Sequence, residues 1–321
     1  MVYFEQIMDY SSENKTVFSD LVDMCAKRQI VPYIGAGMSV FARYIPIFKD
    51  RHLFPTWKDL IAIKYHASFP SKKMPKNPMD AAEKIEKNEL NEYVRLTMGG
   101  NLKEKEWTKI LEEAEYQAIS VIPKLFCGPI VTTNYDQIIE KVHKETLSVF
   151  LPHKLDLGKL ERELLNGNRF VYKIHGCVFK DPQNIILTKT AYGNVYKRNS
   201  ELVQSLITFF QSFQFLFLGC SLGVVTKTKD RYMELWERIL NNGTQHFTII
   251  DCPKGKLAKR RKELENRNIY PIFYNSEIDK GHKSVRIILD KLLENVKENS
   301  PNFLHNETSY IDRESGKHDL I

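Results

Sequence analysis

Six runs of near-continuous apolar sequence, separated by stretches of helical periodicity, constrain this chain more than any other feature. The runs are "IVPYIG" (30–35), "PIVTTN" (129–134), "RFVYKIHG" (169–176), "FQFLFLGC" (213–220), "QHFTIID" (245–251) and "IYPIFY" (269–274). A strand with one wet face alternates apolar and polar residues, whereas a run apolar throughout predicts a strand covered on both faces, as in parallel sheets. Helical segments separate most of them: "YDQIIEKVHKET", "SELVQSLITFFQSF", "DRYMELWERILNN" and "KSVRIILDKLLENV".

Strand and helix in alternation predict an α/β fold with a doubly wound, Rossmann-like parallel sheet. Ser12 is a candidate N-cap for a helix to about Lys27, with Val17, Leu21, Val22 and Cys25 as its apolar stripe. A second helix starts at Thr56, after Pro55. From there the region 60–125 stays helical, with no convincing strand, and reads as an insertion between the first and second strands. Residues 1–298 are expected to form one domain, and the polar stretch 299–321 a mobile or partner-binding tail.

Composition narrows the class. With 42% apolar and 27% charged residues the chain reads as an ordinary soluble globular protein. Glu5, Asp9 and Glu13 interrupt the N-terminal stretch, which argues against a signal peptide. The most apolar run, Phe215 to Val225, is too short to span a bilayer. The five cysteines, Cys25, Cys127, Cys177, Cys220 and Cys252, include no Cys-x-x-Cys pair, so neither a zinc knuckle nor a dithiol redox site is expected. Scattered thiols fit a reducing cytoplasm. The net charge of +7 permits an anionic ligand or acidic partner without requiring direct nucleic-acid binding. The basic run "KGKLAKRRK" (254–262) reads as a helix with a solvated face.

Ligands of an open parallel sheet bind at the carboxyl ends of its strands. Four of the ends here are unusual: Gly35-Ala36-Gly37-Met38-Ser39, Thr132-Thr133-Asn134-Tyr135-Asp136, Lys173-Ile174-His175-Gly176 and Gly219-Cys220-Ser221-Leu222. Each has a bland explanation. The Gly-Ala-Gly turn lacks the third glycine of the dinucleotide fingerprint, Val40 standing in its place. Asn134 suits a helix cap, and His175 a satisfied histidine at a turn. Four such ends at one edge are hard to explain by caps alone.

The ordered set "GAGMS", "PTWKDL", "TTNYD", "KIHG" and "GCSL" resembles the sirtuin-like (SIR2) superfamily. It most resembles the bacterial branch of NAD-hydrolysing effectors in anti-phage defence, including the Thoeris and short-Argonaute-associated systems. The resemblance runs from about residue 28 to 293. The deacylase branch of that superfamily carries two Cys-x-x-Cys pairs on zinc, with Gln where Thr133 stands and usually Ile where Tyr135 stands. Their absence here puts protein deacylation in doubt and favours water as the nucleophile.

The resemblance implies NAD as substrate, no metal, and Asn134 and His175 as the catalytic pair. Gly35, Ala36, Gly37, Ser39, Thr133, Asp136, Gly219 and Ser221 are the expected NAD-binding residues. The amides of Ala36 and Gly37, helped by the N-terminus of a following helix, can cradle phosphate. Ser39 and Ser221 can donate hydroxyl hydrogen bonds, and Asn134 can hold a ribose hydroxyl or the attacking water. His175 alone in the set has an ordinary pKa near neutrality, which makes it the candidate general base. By resemblance Asp136 lies near the nicotinamide carboxamide; as a helix cap it has a purely structural reading. Trp57 either shields the site or packs in the core.

The expected activity is cleavage of NAD to nicotinamide and ADP-ribose by a cytoplasmic effector of anti-phage, abortive-infection defence. Because free NAD hydrolysis harms its own cell, gating is expected from a homo-oligomer, or from a separate sensor, ATPase or Argonaute-type protein. No membrane partner is expected. The alternatives are a non-catalytic NAD or ADP-ribose-binding scaffold, against which retention of both Asn134 and His175 argues, and a zinc-less protein deacylase.

Overall fold

The structure, a computed structural model, describes residues 3–48, 53–197, 200–222, 243–279 and 282–300. The helix expected over 230–242 and nearly all of the polar tail lie outside the described residues.

Seven parallel strands form one sheet among the described residues. They are β1 (Ile30–Ile34), β2 (Ile130–Thr132), β3 (Ser148–Phe150), β4 (Phe170–Lys173), β5 (Gln214–Leu218), β6 (His246–Asp251) and β7 (Ile269–Tyr274), in the spatial order β3-β4-β2-β1-β5-β6-β7. The doubly wound α/β reading therefore holds. The chain runs outward from β1 in one direction, then returns to the other side of β1 with β5. That reversal is where an open sheet splays its loops apart to admit a ligand.

The strands are apolar throughout because both faces are covered. Ile30, Ile34, Val171, Leu216 and Leu218 belong to one hydrophobic cluster. Their strand neighbours Val31, Tyr33, Tyr172, Phe215 and Phe217 belong to a second, on the opposite face. Pro32 is tolerated in a central strand for a local reason. The Gly35 N–H points to β5, bonding Leu218 O at 2.9 Å, so strand alternation turns position 32 toward β2, whose pairing with β1 begins only at Tyr33.

Two short helices open the chain, α1 (Phe4–Met8) and α2 (Asn14–Ala26). Ser12 does not cap α2, which starts after Glu13. Asn14 is instead fully buried, donating through Nδ2 to Ile7 O and Phe273 O and accepting from Phe273 N, so that it ties α2 to β7. Between β1 and β2 the chain is helical: α3 (Trp57–Ser68), α4 (Pro78–Ala82), α5 (Lys87–Thr97), α6 (Glu104–Ala114) and α7 (Ile122–Leu125). Trp57 packs against the first cluster. The later helices are α8 (Ile138–Val142), α9 (Leu157–Leu165), α10 (Lys189–Val195), α11 (Glu201–Ser212), α12 (Leu257–Glu265), α13 (Ser276–Asp279) and α14 (Lys283–Asn299). The basic run lies on a short turn and α12, whose one buried residue is Leu264.

Candidate functional site

The strand order sets β4, β2, β1 and β5 side by side, so the four unusual strand ends are neighbours along one edge. Their loops are stitched together by main chain. After β1 the chain makes three 3₁₀ turns, Ala36–Met38, Val40–Tyr44 and Pro46–Phe48, rather than the helix expected to lend its N-terminus. The Gly37 N–H donates to Gly219 O at 3.0 Å. That amide is therefore spent inside the protein, and the phosphate-donor reading rests on Ala36. A Cβ on Gly35 would sit 2.7 Å from Gly219 O, and one on Gly37 2.8 Å from Gly219 Cα. The glycines let two loops touch backbone to backbone, a tertiary reason for what looks in sequence like room for a ligand.

On the other side of β1, Thr132 is fully buried; its Oγ1 donates to Ile34 O (2.8 Å) and accepts from Asn134 N (3.0 Å). Thr133 is half-buried and its N–H also reaches Ile34 O, at 3.2 Å. Asn134 then turns back over β1. Its Nδ2 donates to Ser39 Oγ (3.0 Å) and Gly35 O (3.2 Å). Because Gly35 O can only accept, these bonds fix which end of the carboxamide is nitrogen. The other end, Oδ1, is buried and has no protein partner. Such an orphan costs about 1–3 kcal/mol, which a bound hydroxyl or water recovers. Ser39, 2% exposed, retains its own O–H to donate. Asp136 Oδ1 accepts from Ile138 N at 2.9 Å, a turn bond that leads into α8 from one residue ahead of its N-cap, Gln137.

His175 follows β4 and is buried among tyrosines. Its Nε2 lies 3.0 Å from Tyr196 Oη and its Nδ1 3.5 Å from Tyr192 Oη, and both rings meet the imidazole edge to face. Burial lowers its pKa to about 3. The imidazole is thus neutral at physiological pH, an acceptor of low basicity rather than the near-neutral titrant expected from the sequence. Tyr192 lies on α10 and Tyr196 just after it, an i,i+4 pair that sequence reading passed over. Helix α10 is clasped to the helical segment between β1 and β2: Glu83 accepts from Thr190 N at 3.0 Å and Thr190 Oγ1 at 2.5 Å.

Burial also lowers the pKa of His143 and of His246 to about 4. All three histidines fall below the unfolded value of about 6.5, so the unfolded chain binds protons that the native one refuses. Their stability is intact above pH 6.5 and is lost as pH falls from there toward 4 and 3. Calorimetry should show Tm declining from about pH 6.5, above the range where carboxylates titrate. A flat Tm down to pH 5 contradicts the burial of these rings.

Beside this buried group a cleft of about 1540 Å³ opens at the ends of β1, β5 and β6. Gly37, Gly219 and Ser221 line one side, Asp251 and Cys252 another, and Tyr116 reaches in from beyond α6. Asn134 and His175, 4% and 6% exposed, are not part of its wall. Arg260 pins the Gly219–Leu222 loop by donating to Ser221 O and Leu222 O, both at 2.8 Å. Lys256 and Lys259 give the rim positive charge. Sequence reading placed Lys173 at an unusual strand end but gave it no role; it is fully buried at the end of β4, and its Nζ lies 3.2 Å from Glu140 Oε1. A lysine closing an otherwise apolar run was the available signal. Burial pushes the Glu140 carboxyl above its ordinary range, opposed by that ammonium.

Among the described residues no group of three or more His, Cys, Asp or Glu side chains is arranged to hold a metal ion, and no helix is long and apolar enough to cross a membrane. No curated protein matches the chain. Residues 129–272 match the family model described as the SIR2-like domain, a span that takes in the "TTNYD", "KIHG" and "GCSL" strand ends but not "GAGMS", and this supports a place in the SIR2-like superfamily and an NAD-related function in general.

Proposed function

We propose that this protein hydrolyses NAD at the nicotinamide–ribose bond, releasing nicotinamide and ADP-ribose. The observation that carries the reading is the buried, unpartnered Oδ1 of Asn134, held in place by Ser39 and Gly35. An acceptor fixed in this way suits a ribose hydroxyl or the attacking water, which must be oriented before the positive charge of an oxocarbenium-like transition state develops. The cleft beside it, with Lys256 and Lys259 at the rim, suits the dinucleotide's anionic part. Water adds to the ribose C1′, the C–N bond breaks to leave neutral nicotinamide, and the water proton passes to His175 or to solvent. For His175 to take it, a tyrosine hydroxyl must yield its ring nitrogen.

Purified protein incubated with NAD, with products resolved by chromatography, tests this. Nicotinamide and ADP-ribose are expected without any acylated peptide; dependence on an acyl peptide, with O-acyl-ADP-ribose as product, overturns it. The proposal extends to an effector role in anti-phage defence, which rests on the resemblance of the strand-end motifs, and to gating by assembly or by a separate sensor, which the toxicity of the reaction calls for. Turnover that rises with concentration alongside a light-scattering mass increase supports self-assembly; a fully active monomer excludes gating.

One observation favours a second reading. The enclosure of His175 by Tyr192 and Tyr196, with its lowered pKa, suits a non-catalytic module that binds NAD or ADP-ribose. Saturable ADP-ribose binding without NAD turnover, under every assembly condition, distinguishes it.

A further inference from the structure

We propose that Lys173 is a positioning residue that sets the carboxamide of Asn134 by gripping the main chain on either side of it. Lys173 pairs in register with Thr132 of β2, and Thr132 with Ile34 of β1. Its stem therefore starts level with the last residue of β2, and the ammonium reaches beyond the strand. There it donates to Asn134 O at 3.3 Å and to Asp136 O, with the Glu140 carboxyl of α8 at 3.2 Å. Two of these contacts are hydrogen bonds to main-chain carbonyls; the third is an ion pair, the Glu140 carboxylate oxygens making no hydrogen bond of their own.

The segment between β2 and α8 has no regular hydrogen-bond ladder to hold it. Asn134 is instead pinned from both flanking strands: its side chain to Gly35 and Ser39 after β1, its carbonyl to Lys173 from β4. Burying an ammonium costs several kcal/mol before pairing, and a β4 otherwise made of Phe170, Val171 and Tyr172 could pack an apolar residue there. What the charge adds is a fixed direction for the peptide planes after Asn134 and Asp136. Released, those planes rotate and carry the Asn134 side chain with them.

The test replaces the pair together, Lys173→Met with Glu140→Leu, so that no buried charge is left unpaired. Two readouts are taken on the full chain. The first needs no ligand: the side-chain amide resonances of Asn134 in a ¹⁵N spectrum, assigned by their loss in Asn134→Ala. The second is the kcat and KM for NAD, which rests on the functional reading above. A folded double variant should show the Asn134 signals moved toward those of solvated asparagines, and kcat lowered about 10²-fold with KM little changed, the scale of a misplacement near 1 Å. Unmoved Asn134 signals, or parental kcat, overturn the proposal and leave Lys173 a structural ion-pair partner. Should the double variant fail to fold, Lys173→Arg keeps the charge beside Glu140 but presents a planar fork to acceptors grouped around a point. It should shift the same signals and lower kcat about 10-fold, as a displaced acceptor loses orientation; unchanged values overturn the proposal equally. A parent protein that leaves NAD intact sinks the functional reading alone, and the resonances still decide the role of Lys173.

Discussion

Asn134→Ala is expected to lower NAD turnover by about 10²–10³-fold, the range for removing one preorganised polar group from a transition state. The substitution deletes the orphan acceptor Oδ1 and, with it, the Nδ2 bonds to Ser39 Oγ and Gly35 O. The backbone bond from Asn134 N to Thr132 Oγ1 and the grip of Lys173 on Asn134 O remain, so the loop keeps its anchors and the fold should survive. The two lost side-chain hydrogen bonds, at about 1 kcal/mol each, are offset by relief of the buried orphan acceptor, about 1–3 kcal/mol, so little net change in stability is expected. Asn134→Asp separates the two ends of the carboxamide. It keeps an acceptor where Oδ1 stands but faces Gly35 O with a second acceptor, so it should lose stability as well as rate. Steady-state kinetics and thermal melts on the same preparations check both. A folded Asn134→Ala that hydrolyses NAD at the parental rate removes Asn134 from the mechanism.

The second large effect is on the fold. Gly219→Ala should destabilise the protein by about 2–4 kcal/mol, combining the left-handed backbone penalty with local overpacking. Gly219 has φ +64°, and a Cβ there would stand 2.5 Å from Met38 N and 2.9 Å from Gly37 C. Both obstacles are backbone, so no side chain can swing aside. Gly193→Ala is the matched control. That glycine lies inside α10 with open space where its Cβ would go, and alanine there should stabilise by about 0.5–1 kcal/mol. Urea midpoints moving in opposite directions are the expected result. A Gly219→Ala variant as stable as the parent would show that the two loops are not locked together.

The parts of this architecture written locally were legible in the sequence. Apolar runs such as "FQFLFLGC" carry their own evidence of being covered on both faces, and the strand ends followed from them. Strand β3 was missed because three residues, "SVF", are too few to show a pattern, and α9 behind it was passed over although Asp156 caps it through Lys159 N. The site was legible as a set of residues but not as a set of bonds. That Gly37 spends its amide on Gly219, that Asn14 rather than Ser12 matters at α2, and that two tyrosines enclose His175 all depend on partners distant in sequence. Lys173 shows the limit most clearly. One letter at the end of a strand names a charge but does not say that it grips the loop of the neighbouring strand.

The pairing of β1 with β5 joins residues 30–34 to 214–218, and this has a consequence for the order of assembly. Pairing across so long a stretch of chain is slow, because the intervening loop must close before any contact repays it. Asn134, Ser39 and His175 lie just after β2, β1 and β4, in the portion of the chain that precedes β5. Gly219 arrives with β5, and Asp251, Cys252 and Arg260 with the strands and helix beyond it. In a growing chain the residues of the buried polar group are thus made well before those that complete the walls of the cleft beside it. Only when most of the polypeptide has been made, and β5 has docked on the exposed edge of β1, does the Gly37–Gly219 contact form and the entrance take its shape.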